Sequence, residues 1–456
     1  MTRKRKNEEI NAVDNDPSSS IDFKLAYSQI KAIVKSDNSE KLRELIESGR
    51  IVSDTVNRRK IRDLLIDACE KGSLACVKIL LEYNTDSNRD FNLEVLRSAC
   101  RSGSRDLLHF LIEKGLPISD EILLRTLRSV GIMNNTAFSS ILVARLIDIN
   151  YRSAAADDVL YFASEAGNIE IVRILLERGA NQLGLALVGA AAKRRIEVVK
   201  LLLRAQGERI SMERLKIALQ SAVHRGCIDI VRSIVEYGVD EKALNGALRE
   251  SISRSKTDMA EYLLDSGAHI NAAPDNAHSN LYLACAQGSS DMVALLLARG
   301  ADPNAVDGRG ERPLGAALSY PEIVQLMLQG GTSPNQILLK ADPDQYIADG
   351  KTALLELAIS RCDNACSALA ILLRHNADPN LARSDTGETP LMAAAVAERT
   401  DRVQLLLEYK ADVTQLNQAG RSVLDILGNA WQYRNIVKLC KEYIHINRPE
   451  AKHIVK

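Results

Sequence analysis

The sequence predicts an all-α chain, a solenoid of stacked helix-turn-helix units joined by hairpin loops, and three observations lead there. At 456 residues the chain is about three times an ordinary domain, so several domains or a repeat array is expected instead of one core. Hydrophobic residues make up 46% and aromatics only 4%, so the apolar part is mostly Ala, Leu, Ile and Val. That mixture suits closely packed helices better than a β-sandwich or barrel. Third, one helix-spaced apolar pattern recurs along nearly the whole length.

Residues 1–20 open as MTRKRK and turn polar as NEEINAVDNDPSSS, without the apolar stretch of a secretory signal. A disordered tail is expected there. From residue 21 the pattern runs as two apolar residues, two or three spacers, two more apolar residues and a small turn residue. Ile171-Val172-Arg173-Ile174-Leu175-Leu176 leads to Gly179-Ala180, and Met292-Val293-Ala294-Leu295-Leu296-Leu297 leads to Gly300-Ala301. Apolar residues at these offsets share one face of a helix. The second apolar position marks thirteen copies: Leu42, Val77, Leu108, Val143, Val172, Val199, Val231, Ala260, Val293, Val324, Leu369, Val403 and Val437. They recur about every 33 residues on average, with intervals from 27 to 45.

Ahead of each such helix the sequence places another that carries a pair of small residues. These are Ala68-Cys69, Ala99-Cys100, Ala163-Ser164, Ala190-Ala191, Ala284-Cys285 and Ala394-Ala395. Small side chains let neighbouring helices approach closely, and Gly72, Gly103, Gly167, Gly226 and Gly288 break the chain between the two helices. Cys69, Cys100 and Cys285 are accordingly expected to be buried small hydrophobes.

Toward the carboxyl end the copies become explicit. Thr386-Gly-Glu-Thr-Pro-Leu391 precedes Met-Ala-Ala-Ala, then Arg402-Val-Gln-Leu-Leu-Leu-Glu408 and Lys410-Ala-Asp412. Asp349-Gly-Lys-Thr-Ala-Leu354 and Arg312-Pro-Leu314 repeat the opening; Gly300-Ala-Asp-Pro-Asn304 and Asn376-Ala-Asp-Pro-Asn380 repeat the close. Thr before Pro suits a helix start, since the hydroxyl caps free N–H groups and Pro has none to leave unpaired. On these residues the chain resembles the ankyrin-repeat family over roughly residues 21–445. The resemblance implies an ankyrin-repeat solenoid, with partner-binding surfaces that differ from one member to the next.

The copies before about residue 270 lack the Thr-Pro-Leu opening, and Arg194 stands where the turn glycine is expected. Between Val324 and Leu369 the longest interval contains an apparent loop excursion, residues 336–348. Residues 446–456 are expected to form a short tail. Asn271, Asn304 and Asn380, in the hairpins, are expected to be structural turn residues.

Reactive groups do not converge in the sequence. The seven histidines fall in no H-E-x-x-H pattern, and no phosphate loop, dinucleotide fingerprint, nucleophile elbow or kinase signature occurs. Cys362 and Cys366 lack a companion pair, so no metal site is expected, and neither a catalytic residue nor a cofactor. With 59 Lys+Arg against 59 Asp+Glu the formal charge is zero, which argues against a nucleic-acid binder. Residues 1–228 carry 36 basic against 30 acidic residues and the remainder 23 against 29, a modest polarity. Leu183–Ala192, the longest nearly apolar run, is far short of the roughly 18 residues of a bilayer span, so no membrane insertion is expected.

A solenoid offers an extended concave surface, so the expected function is non-catalytic scaffolding by a monomer that binds a protein partner. Eight dilute cysteines fit a reducing, intracellular, cytoplasmic setting. The family resemblance extends this to adaptors, to inhibitors of signalling or transcription factors, and to effectors that pathogens deliver into host cells. The alternative is a nuclear regulator imported through Arg3-Lys4-Arg5-Lys6. Residues just before the interhelix turn and those flanking the hairpin glycine should face the groove. The first helices then contribute Arg101, Glu165, Lys193, His224, Arg225, Gln287, Tyr320 and Asn429, and the hairpins Arg309, Glu311, Lys351, Glu388 and Arg421. Tyr320, Arg225 and Arg309 are the strongest anchors by residue type, with packing against a neighbouring copy as the competing role for Tyr320.

Overall fold

Pairs of antiparallel helices succeed one another in the computed structural model, which describes residues 28–47, 55–83, 88–129, 136–146, 159–205, 210–272, 277–335 and 351–447. The tail at 1–20 and the loop at 336–348 lie outside these residues, as does most of the tail at 446–456. Among the described residues the only extended pairing is an isolated bridge residue at 311 and another at 352, so the fold is all-α.

One copy shows the local logic. The helix Leu183–Ala192 closes with the Arg194 N–H on the Ala191 carbonyl at 3.1 Å and the Arg195 N–H on the Ala190 carbonyl at 2.9 Å. Closing the helix in this way puts Arg194 in the left-handed region at φ 59°, after which the chain returns as the helix Ile196–Arg204. Glycine holds the equivalent place at Gly167 and Gly226, whereas Asp37, Ser255 and Glu398 take it at φ 52–59° as Arg194 does. The turn is therefore retained where its preferred residue is missing.

Several helix starts are capped by a side chain, by different residues in different copies. Thr352 and Thr389 accept the N–H groups of Leu355 and Met392 at 3.3 and 3.2 Å, and Pro390 occupies the first helical turn. Earlier copies use Asn38, Asn88, Ser104 and Asn168 instead.

Like packs on like from copy to copy. Thr55–Lys71 lies against Arg89–Ser102, Val159–Ala166 against Leu183–Ala192, and Asn280–Ala286 against Pro313–Ala317. Second helices stack similarly, Ile169–Glu177 on Ile196–Arg204 and Ser290–Ala298 on Pro321–Gln329. The small pairs sit at these contacts: Ala68, Cys69, Ala190, Ala191, Ala284, Cys285, Ala394 and Ala395 are all fully buried. Burial pushes the Cys285 thiol up to about 12 and raises Cys69 further, so both behave as packing groups.

Twelve of the marker residues, from Leu42 to Val403, are fully buried on second helices. The thirteenth departs. Val437 is half-buried, and the buried stripe of Arg434–Asn447 runs through Ile436, Cys440 and Ile444. The apolar run Ile436-Val437 fits the pattern in two registers, and the helix adopts the one that aligns Ile436 with residues four and eight further on.

Hairpins are tied sideways by asparagines. The Asn304 amide donates to the Gly331 carbonyl at 3.0 Å and its oxygen accepts the Ser333 N–H at 3.2 Å. Asn335 accepts the Asp378 N–H at 2.7 Å, and Asn380 accepts the Asp412 N–H at 2.6 Å. Each bond joins one hairpin to the next, the structural role expected of Asn304 and Asn380.

Contacts group the chain into two units that meet between Ala218 and Leu219, within the helix Met212–Arg225. No described helix is long and apolar enough to cross a membrane.

Candidate functional site

The turn Asp307-Gly308-Arg309-Gly310-Glu311 in the second unit is built by its first residue. One Asp307 carboxylate oxygen, Oδ1, accepts the N–H groups of Arg309 and Glu311, each at 2.9 Å. The Asp307 N–H reaches the Glu311 carbonyl at 3.0 Å, and Gly310 turns the chain at φ 82°. The other oxygen, Oδ2, lies 2.9 Å from Nδ1 of His278, one copy earlier. Burial pushes the Asp307 carboxyl up, but the two N–H bonds and His278 outweigh it and hold the group below its ordinary value.

His278 is itself fixed. Its ring stacks on Tyr282 with centroids 4.1 Å apart and planes 11° from parallel, and its carbonyl accepts Nη1 of Arg249 at 2.7 Å. Glu311 completes the group, with Oε2 3.4 Å from the same His278 Nδ1. The Tyr282 hydroxyl is bonded to Glu311, and burial together with that bond raises the tyrosine well above its usual range. Sequence reasoning missed His278, Asp307 and Tyr282 and found only Glu311. A signal was present: His278 and Glu311 stand 33 residues apart, one mean repeat, so equivalent positions of adjacent copies meet.

The other expected binding residues are distributed along the copies. In the first unit Lys193 pairs with Glu165 at 3.3 Å, linking adjacent first helices. Arg101 is exposed and reaches Glu94 at 2.7 Å and Glu70 at 3.5 Å. In the second unit His224 lies 3.6 Å from Glu250, while Arg225, Gln287, Arg309, Arg421 and Asn429 are exposed. Lys351 and Glu388 are half-buried, Lys351 within 4.0 Å of Glu356. Tyr320 is 38% exposed, but its ring covers Gly288 so closely that a Cβ there would meet Cε1 at 2.5 Å. It therefore packs on the preceding copy while keeping one face open.

The hairpin around Asn417 repeats the Asp307 turn. Asn417 Oδ1 accepts the N–H groups of Ala419 and Arg421 at 3.0 Å each, and Gly420 has φ 69°. An exposed apolar residue precedes each turn, Val306 at 37% and Leu416 at 57%.

A family model described as Ankyrin repeats (3 copies) matches residues 30–121, 187–274, 250–337, 281–382, 316–417 and 356–449. The chain belongs to the ankyrin-repeat family, whose repeats are generally protein–protein interaction modules. It is 28% identical over 259 residues to the ankyrin repeat and KH domain-containing protein mask-1 of Caenorhabditis elegans, covering 52% of this chain and 10% of that protein. It is 23% identical over 421 residues to the ankyrin repeat protein FPV018 of Fowlpox virus (strain NVSL), covering 86% of this chain and 56% of that protein. The ankyrin repeat domain of human ASB11 aligns with 49% of this chain and all of its own length at 22% identity and a TM-score of 0.38, a likeness too loose to add to the family match. The chain thus spans less than two thirds of the curated relatives it matches.

Proposed function

We propose that the chain is a non-catalytic scaffold that holds a protein partner on the ends of its first helices and on its hairpin turns. The observation that carries this reading is the recurrence of one exposed arrangement on separate hairpins. Val306 precedes a turn whose third residue is Arg309, and Leu416 one whose fifth is Arg421, so each hairpin sets an exposed apolar side chain and a cation around the same kind of turn. Arginine and tyrosine are among the residue types most often found as binding hot spots, and Tyr320 and Arg225 add to the two turn arginines in the same unit. A standard interface takes about 20–30 residues a side, so several adjacent copies contribute.

The finer reading is of an adaptor or effector acting inside a cell, a host cell if an intracellular pathogen supplies it. The Fowlpox virus relative, matched over 86% of this chain, supports the host-cell version. The test begins with affinity capture from the native cell and identification of the bound protein by mass spectrometry. The purified partner is then titrated against the chain and against the Tyr320→Ala, Arg225→Ala, Arg309→Ala triple variant. A loss of about 2 kcal/mol or more at unchanged melting temperature supports the surface. Because Tyr320 also covers Gly288, the Arg225→Ala, Arg309→Ala pair serves as the variant that leaves this contact in place. Unchanged affinity in both variants would move the site elsewhere.

A further inference from the structure

We propose that His278, Asp307 and Glu311 form a site for a divalent transition-metal ion of the zinc class, held across two successive ankyrin repeats. Nδ1 of His278, a carboxylate oxygen of Asp307 and one of Glu311 all lie within 4.8 Å of one another. The two closest approaches, 2.9 Å from Nδ1 to Asp307 Oδ2 and 3.4 Å from Nδ1 to Glu311 Oε2, bracket the separation of about 3.3 Å between ligands bonded at about 2.0–2.1 Å to one tetrahedral ion. The third separation, between the two carboxylate oxygens, is at most 4.8 Å, so the carboxylates close in on an ion as it binds.

Three features make the group more than a chance meeting of charges. Asp307 has its side chain fully buried and Oδ1 committed to two backbone N–H groups, so Oδ2 is aimed and cannot turn away. Glu311 Oε2 is shielded from solvent and accepts no hydrogen bond, although it points at His278. An orphaned carboxylate oxygen of this kind is costly unless a cation answers it. His278 and Glu311 are each held from behind by Tyr282, through the ring stack and the hydroxyl, an arrangement that orients ligands around a metal.

The donor set selects the ion. Calcium and magnesium prefer shells of oxygen, whereas imidazole with carboxylates suits zinc, cobalt and nickel. The ion takes the place of the proton between Nδ1 and Oδ2, leaving the imidazole proton on Nε2. Three protein ligands leave a tetrahedral ion one open position, which water or a partner's side chain can fill. Two cations stand near the group: Arg249, whose Nη1 is engaged with the His278 carbonyl, and Arg309 in the turn itself. The sequence reading expected no metal because it looked for ligands close together on one segment, and here they come from two copies.

The test uses the full chain, stripped with chelator, and zinc chloride alone. Calorimetric titration should give one equivalent bound at micromolar or tighter affinity, with calcium and magnesium inactive. Cobalt should give a visible absorption band of a tetrahedral site. Glu311→Gln and His278→Gln should each weaken zinc binding at least tenfold, while Glu170→Gln, on an exposed helix face of the first unit, should leave it unchanged. Zinc should raise the melting temperature of the parent and not of Glu311→Gln. Absence of stoichiometric zinc binding, or equal binding in Glu311→Gln, overturns the proposal and in the second case assigns the metal to thiols such as Cys362 or Cys366. Circular dichroism verifies folding. Should His278→Gln fail to fold, Glu311→Gln alone decides, since its amide keeps the bond to Tyr282.

Discussion

At the scale of single residues, a position in the left-handed region is costly for any side chain, and the interhelix turns show two answers to that cost. Gly226 has φ 70° with only the flexible end of Lys256 nearby, whereas Gly288 has φ 69° and lies under the Tyr320 ring. Gly226→Ala should therefore lose about 1–2 kcal/mol in urea unfolding, the cost of the backbone conformation. Gly288→Ala should lose more, and the excess should vanish in a Tyr320→Ala background, which a double-mutant cycle measures. Equal losses would mean that the ring moves aside freely. The hairpin asparagines make a similar case. Asn380→Ala should cost about 1 kcal/mol by leaving the Asp412 N–H without its acceptor. The sequence marked Asn380 as a turn residue, but its bond reaches 32 residues ahead, and a pattern within one copy does not reveal which neighbour a side chain ties.

At the scale of elements, helix ends decide how much a copy can depart from the family pattern. Arg402 is 4% exposed, and its Nη1 donates to the carbonyls of Leu357, Ala358 and Ser360 at 2.8, 3.1 and 2.6 Å. Those are the unpaired carbonyls at the end of Ala353–Ile359, so one cation caps a helix of the preceding copy. Arg402→Met should cost about 3 kcal/mol in urea unfolding; a loss under about 1 would show that water reaches the carbonyls instead. At the start of Val423–Leu427, Ser422 and Asp425 form a reciprocal cap, and the Ser422 hydroxyl and N–H bonds hold the Asp425 carboxyl below 3.8. A depressed folded value means that the stabilisation is present above the unfolded value and lost as pH falls through the folded one. Asp425→Asn should hence be less stable than the parent at neutral pH, by at most about 1 kcal/mol for so exposed a group, and the difference should close below pH 3.8. Helices and their order were legible because apolar spacing is written within each copy. Arg402 was not, because next to Val403 it reads as a solvated charge, and only the neighbouring helix end gives it a reason for burial. Val437 was misplaced for a related reason, since Ile436-Val437 offers two registers and packing chooses between them.

At the scale of the whole molecule, each helical pair is stabilised mainly by the pair before and after it, so stability should vary along the chain with the quality of each copy. Copies from Asn280 onward combine caps, Pro at helix starts and the asparagine ties between hairpins, while those before Arg145 rely on packing, on the caps Asn38, Asn88 and Ser104 and on exposed ion pairs such as Arg101–Glu70. Much of the candidate binding surface was readable as positions relative to the turns. The His278 cluster was not, because its members come together only when successive hairpins are stacked. Hydrogen exchange read by mass spectrometry on the full chain, helix by helix, tests this nearest-neighbour account most directly. It predicts graded protection, longest in Asn280–Ala286, Ser290–Ala298, Pro390–Val396 and Thr400–Glu408, and shortest in Thr55–Lys71, Leu74–Tyr83 and Thr136–Arg145. Uniform protection across all these helices, or the reverse order, would contradict it.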